Sequence, residues 1–328
     1  MKKILISLGI IMILVGLSFA QEINVGGFMK TLYTVNLREG VSDNFTTPWA
    51  DIWATGKIGE RISYRFEQKF APTPTQLYFA YFNFELFPYA TLRAGQFAMP
   101  FGLNWYTYPM DILTPDYSAA TAMLWAPGEE AVGVNKGVQI AGGVKDGIKI
   151  NYYAALFSGD PTIEDYTAVG MIDLSPIEGI TVGVSRHQGK YAALTPWYGT
   201  KEDRIFNDGY IKFNMAGFDL QGEYIGGEVG DKKKVGWHAL TAYKMQLPVE
   251  HPWPEISIQP VARYTSFDPN TDTEDDEETH VDIGINLYYG ENLKCQLFYE
   301  MNGETPEVDN DRILLQLQLM YGPGKGIF

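Results

Sequence analysis

The stretch Arg61-Ile62-Ser63-Tyr64-Arg65-Phe66-Glu67-Gln68-Lys69-Phe70 alternates in character from one residue to the next. Arg61, Ser63, Arg65, Glu67 and Lys69 take one parity. Ile62, Tyr64, Phe66 and Phe70 take the other, with Gln68 alone off pattern. Side chains alternate faces along a β-strand, so the charges share one side and the large apolar groups the other. A soluble sandwich could use such a strand with its polar face in water. A barrel in a membrane would put that face into a wet lumen.

The same pattern recurs. Asp219, Gln221 and Glu223 oppose Phe218, Leu220 and Tyr224. His280, Asp282 and Asn286 oppose Val281, Ile283, Ile285 and Leu287, and Arg312, Gln316 and Gln318 oppose Ile313, Leu315, Leu317 and Leu319. Tyr288, Tyr289, Tyr321, Trp237 and Tyr243 cluster near strand ends, where interfacial girdles form. Met1–Ala20 reads as an export leader: Lys2 and Lys3, an apolar run from Ile4, then Ser18-Phe19-Ala20 as a small-residue cleavage site. After Ala20 no apolar run approaches the roughly 20 residues that a membrane-spanning helix needs. An exported chain of short, two-faced strands predicts a transmembrane β-barrel over residues 21–328, behind a signal peptide at 1–20.

Bulk properties agree. The single cysteine among 328 residues, Cys295, excludes a disulfide framework. It alternates with Leu293 and Leu297 and so is expected on the lipid side. A mean hydropathy of −0.14 suits strands that show only one face to lipid. With 25 basic against 40 acidic residues and a net charge of −15, nucleic acid is not an expected partner. Outer-membrane lipid, lipopolysaccharide and small hydrophilic solutes are. The acidic run Asp268–Glu278 reads as a solvated loop; a divalent-cation bridge to lipopolysaccharide is the sharper alternative.

Connections alternate in length. Short turns are expected at Gly59-Glu60, Phe87-Pro88, 142–147, 175–179, Ala216-Gly217, 247–254 and 290–292. Longer connections fall at 38–48, 71–75, 98–131, 158–165, 188–203, 226–233, 266–278 and 302–310. Such turns and loops join about sixteen antiparallel strands, fourteen or eighteen lying within the slip of strand boundaries. Short periplasmic turns and longer outer loops mark outer-membrane barrels, and at sixteen strands the interior holds water.

The stretch Leu92-Arg93-Ala94-Gly95-Gln96-Phe97-Ala98-Met99-Pro100-Phe101-Gly102-Leu103 resembles the phosphate-selective porin O/P family. There, a strand of this pattern runs into a proline-phenylalanine-glycine opening of a long third loop. Gln259-Pro260-Val261-Ala262-Arg263-Tyr264, with Phe267-Asp268 after it, and the closing strand Arg312–Leu319 look similar. The resemblance implies a 16-stranded barrel, often trimeric, whose third loop folds inward and narrows the pore. The chain supports that loop independently. The connection 98–131 carries Trp105, Tyr106, Tyr108, Met110, Leu113, Tyr117, Leu124 and Trp125, more large apolar groups than a free surface loop carries. A subunit contact or lid is the plainer alternative.

Phosphate selectivity would need a cationic path. Strand parity makes Arg61, Arg65, Lys69, Arg93, Lys212, Arg263 and Arg312 the candidates to line the channel. Each could equally pair with a carboxylate on the wall, Glu67, Glu85, Asp219, Glu223 and Asp282 being available. The third loop holds no Lys or Arg. Its constriction candidates are Trp105, Tyr106, Asp111, Asp116, Glu129 and Glu130. A basic wall facing an acidic loop would set up a transverse field.

No catalysis, cofactor or metal is expected. His187, His238, His251 and His280 show no ligand spacing. The competing class is a non-channel barrel, either a lipid-acting enzyme or a structural or adhesive protein. For the enzyme, Ser185 with His187 is the nearest approach to a nucleophile and base. The last strand is expected to stop near Tyr321, leaving Tyr321 or Phe328 as the terminal aromatic used in assembly. The reading is thus a passive outer-membrane diffusion channel and homo-oligomer, with phosphate-like anions among its candidate solutes.

Overall fold

The computed structural model describes residues 22–70, 76–122, 124, 133–145, 147–158, 166–192, 201–248, 255–306 and 308–322. The expected leader at 1–20, Trp125, Glu129, Glu130, His251 and Phe328 lie outside them. The strands are β1 (Glu22–Asn36), β2 (Asn44–Ile58), β3 (Ile62–Phe70), β4 (Gln76–Phe87), β5 (Ala90–Ala98), β6 (Val134–Val144), β7 (Lys149–Ser158) and β8 (Tyr166–Ile177). They continue with β9 (Ile180–Ala192), β10 (Lys201–Met215), β11 (Phe218–Val229), β12 (Lys232–Tyr243, resuming at Met245–Gln246), β13 (Ile256–Asp268), β14 (Glu278–Tyr289), β15 (Leu293–Gly303) and β16 (Arg312–Tyr321). Each pairs antiparallel with its sequence neighbours. β1 pairs with both β2 and β16, from Asn36 opposite Arg312 to Gly27 opposite Tyr321, so the sheet closes without an edge. Among the described residues this makes a closed sixteen-stranded barrel, in agreement with the expected count.

The alternation read from β3 holds in space. Phe66 and Phe70 are exposed on the outer surface while Arg65 and Glu67 are buried inside. On β16, Leu315, Leu317 and Leu319 face out; Gln316 and Gln318 face in and are buried. In lipid the ladder is the only partner for backbone groups, and the described strands close on one another without a free edge. Ala216 (φ 52) and Gly217 (φ 85) make a two-residue turn with both φ positive, the hairpin geometry that matches strand twist.

Two connections depart from expectation. The longer loop predicted at 226–233 is a two-residue turn, Gly230-Asp231, because β11 runs to Val229 and β12 begins at Lys232. Gly230 at φ 59 supplies the backbone freedom for it. Gly226 and Gly227, which read as loop residues, belong to the strand; the ring of Phe206 occupies the space above Gly227 where a side chain would stand. The loop predicted at 188–203 is likewise shorter, since β9 continues to Ala192 and β10 starts at Lys201.

Candidate functional site

The interior is organised by the chain between β5 and β6, and residues 99–122 are fastened to inward-facing groups on opposite walls. Phe101 is fully buried. Gly102, at φ 69, brings its backbone to the wall, and its N–H donates to Ser185 Oγ of β9 at 2.9 Å. The carboxylate of Glu223 on β11 accepts the N–H of Leu103 at 2.5 Å and of Asn104 at 3.2 Å. His238 of β12 stands 3.6 Å from the same carboxylate. Asn104 Oδ1 in turn accepts the N–H of Ser118 at 2.9 Å, drawing the loop's two arms together.

Ser118 caps the single-turn helix α1 (Ala119–Ala122), its Oγ accepting the N–H of Thr121 at 3.1 Å. The helix lies on β12 at Gly236, where a Cβ would come within 2.7 Å of Ala120 Cβ and 2.9 Å of its Cα. Across the barrel, Lys294 Nζ of β15 donates to the carbonyls of Met110 and Ile112, each at 2.7 Å. Asn286 and Gln296 donate to Leu113 O at 2.8 and 3.1 Å, and Gln316 donates to Pro115 O at 2.9 Å. These donors satisfy carbonyls that an irregular segment would otherwise bury unpaired. The loop's apolar groups, Trp105, Tyr108, Met110, Ile112, Leu113 and Leu124, are buried. Burial pushes the hydroxyls of Tyr106, Tyr108 and Tyr117 above the usual tyrosine range, so the loop presents neutral phenols.

Two cavities flank the loop. On the side of the short turns, one of about 700 Å³ is bounded by Tyr106, Met110 and Asp111 of the loop and by Asp173, Lys212, Asp219, Lys244 and Glu291 of the wall. On the side of the long loops, one of about 500 Å³ is bounded by Asp116, Tyr117, Arg263, Glu278, His280, Glu300 and Arg312.

The expected channel-lining cations fall into three groups. Lys212 bounds the first cavity; Arg263 and Arg312 bound the second. Arg263 is also a strap: its Nε meets Asp282 at 2.8 Å, and its Nη1 reaches Thr114 Oγ1 at 2.8 Å and Asp116 O at 3.0 Å. Arg312 pairs with Glu300. A second group is stacked on aromatic rings. Arg65 is buried, bonded to Glu67 at 2.7 Å, and lies over Trp53 at 4.9 Å. Arg93, also buried, lies over Tyr81 at 4.3 Å and donates to Asn83 at 2.9 Å. Lys69 stands 3.2 Å from the Trp49 ring centre. Arg61, the third case, is exposed in the turn ahead of β3.

Of the loop candidates, Trp105 is buried in the core, Tyr106 and Asp111 face the first cavity, and Asp116 faces the second. Ser185 and His187 are not brought into a hydrogen bond with each other. Ser185 Oγ donates to Asp208 at 3.2 Å, and His187 lies between Phe101 and Phe206. Of the loop anchors, the sequence reading names Asn286 only as an inward polar residue of its strand, and Lys294 and Gln296 not at all. Their inward parity among outward apolar residues was the available signal, but it gives no hint of what they hold.

A closed barrel of this size, with a long loop fastened across its interior and polar cavities on both sides, is the architecture of an outer-membrane porin. Residues 19–160 match the family of phosphate-selective porins O and P, and that match together with the fold supports a channel-forming outer-membrane porin. No curated relative matches in sequence. Solved structures do match in fold. An anion-selective porin from Comamonas acidovorans superposes with a TM-score of 0.66 at 12% identity, over 92% of this chain and 99% of that one. OmpF of Salmonella typhi, in complex with daunomycin, gives 0.62 at 9% identity over 91% and 97%. The trimer form of OmpT from Vibrio cholerae gives 0.59 at 10% identity over 92% and 99%.

Proposed function

We propose that this porin passes small hydrophilic solutes by passive diffusion, through a lumen narrowed by residues 99–122, without catalysis or energy coupling. The observation that carries this is the pair of polar cavities on the two sides of one wall-anchored loop. The protein is read as exported by its leader at 1–20, and as a homotrimer, by analogy with the trimer form of the Vibrio cholerae OmpT.

The lining charges support a weak ion preference over a dedicated phosphate path. In the first cavity Lys212 and Lys244 face Asp111, Asp173, Asp219 and Glu291. In the second, Arg263 and Arg312 are each paired with a carboxylate. The family match favours the alternative, in which anions such as phosphate are preferred. Reversal potential in a planar bilayer under a salt gradient, repeated with phosphate in place of chloride, separates the two. Cation preference or none is expected. Anion preference strengthened by phosphate would establish the alternative, and an absence of conductance would end the channel reading.

A further inference from the structure

We propose that the cavity on the side of the short turns is a binding subsite for zwitterionic α-amino acids that carry an apolar or aromatic side chain. Lys212 takes the carboxylate of the solute and Asp219 its ammonium group. The subsite presupposes the passage of solutes through the lumen proposed above, and it names the class that this half of the path selects.

Strand register sets charges of alternating sign around the wall. Asp173 of β8 is followed by Lys212 of β10, Asp219 of β11, Lys244 at the break in β12 and Glu291 in the turn before β15, all bounding one cavity. Lys212 stands opposite Thr181 of β9 and Gln221 of β11. Asp219 is therefore its diagonal neighbour, at about 7–8 Å between Cβ atoms. Asp219 in turn faces Ala242, two residues before Lys244. A lone ion drawn to one of these charges is repelled by the next. A solute that carries both signs gains from both.

The carboxylates and the lysines are not equally engaged. Asp219 is buried, and its two oxygens accept from Asn214 Nδ2 at 2.7 Å and Gln221 Nε2 at 2.8 Å, which fixes its plane. Asp173 accepts the hydroxyl of Tyr210, whose ring lies across Gly183 in the space where a side chain would stand. Lys244 lies over the Tyr288 ring at 4.1 Å. Among the described residues no carboxylate comes within ion-pair reach of Lys212 or Lys244. Two ammonium groups with no carboxylate partner call for one on the solute. An anion alone fits poorly, because Asp111, Asp173, Asp219 and Glu291 outnumber the two lysines.

The remaining lining is apolar and aromatic. Tyr106 and Tyr153 meet edge to face with ring centres 5.6 Å apart, and Met110, Leu113 and Met171 border the same space. Its volume of about 700 Å³ lies within the usual range of small-molecule sites and admits a large side chain.

The test is single-channel recording of the folded full-length barrel in a planar bilayer at neutral pH, with solutes that share a phenyl group. Phenylalanine carries both charges, phenylpropionate only the carboxylate and phenethylamine only the ammonium. Phenylalanine is expected to interrupt the current at a half-blocking concentration roughly five- to tenfold below either relative. Lys212→Gln should raise that concentration by a similar factor for phenylalanine and phenylpropionate and leave phenethylamine unchanged. Asp219→Asn should do the reverse, weakening phenylalanine and phenethylamine only. The wild-type series decides by itself should either variant fail to fold. Block by either singly charged relative at the same concentration as phenylalanine would overturn the proposal. So would stronger block by inorganic phosphate, or a steady current that phenylalanine never interrupts; in those cases the barrel still conducts and the channel reading stands. An absence of current under every condition would instead end the channel reading, and the subsite with it.

Discussion

Gly236 decides how the third loop meets the wall. A side chain there would run into Ala120, and its 2.9 Å approach to the backbone Cα leaves no flexible atom to yield. Gly236→Val should lift helix α1 from β12 without breaking the ladder. The expected outcome is a larger and noisier single-channel conductance, from protein that still shows folded-barrel mobility on gels. Unchanged conductance would mean that the loop does not set the constriction. Gly102 acts similarly at the other arm: its positive φ would strain any side chain, and a Cβ there would stand 2.7 Å from Glu223 Oε1, pushing on the carboxylate that holds the loop. Neither role could be read from sequence. Gly236 looks like one of many strand glycines until the loop that covers it is in place.

At the scale of the element, β3 states the rule for the whole wall: polar inward, apolar outward. Phe66→Arg puts a charge on the lipid face, at a cost of about 2–4 kcal/mol near the bilayer midplane. Reversible denaturant unfolding in lipid vesicles should show that loss. A cost near zero would place Phe66 out of contact with lipid. The closing strand extends to Tyr321, which pairs opposite Gly27 and covers it with its ring. Tyr321→Ala is therefore expected to impair assembly more than deletion of Phe328, as measured by yield of heat-modifiable barrel in the membrane. The reverse ranking would move the assembly signal to the chain end. Period-two patterning placed these strands well because it is a local property. It failed at 226–233 because glycine and charge read as loop, whereas pairing with β10 extended the strand to Val229.

At the scale of the molecule, the cations that look alike along the sequence separate by depth. Arg65 is buried with Glu67 and stacked on Trp53, so Arg65→Gln leaves a carboxylate buried without its partner. That should cost on the order of 3–5 kcal/mol in stability while changing ion preference little. Lys212, which bounds the cavity beside the short turns, should behave in the opposite way. Lys212→Gln is expected to move the reversal potential toward cations with little change in unfolding midpoint. If Arg65→Gln instead moves the potential more, the conduction path runs past Arg65 and the Trp53 ring beneath it. The barrel, its strand number, the polarity of its two faces and the presence of a long aromatic loop are all legible along the chain. Those follow from side-chain alternation, turn chemistry and composition, which act over a few residues. Where that loop lies, and which inward groups it covers, is visible only in the folded barrel. Lys294, Asn286, Gln316 and Arg263 hold segments 147 to 201 residues away in the chain. Parity tells a side chain which way to point, but closure of the barrel determines what it meets there.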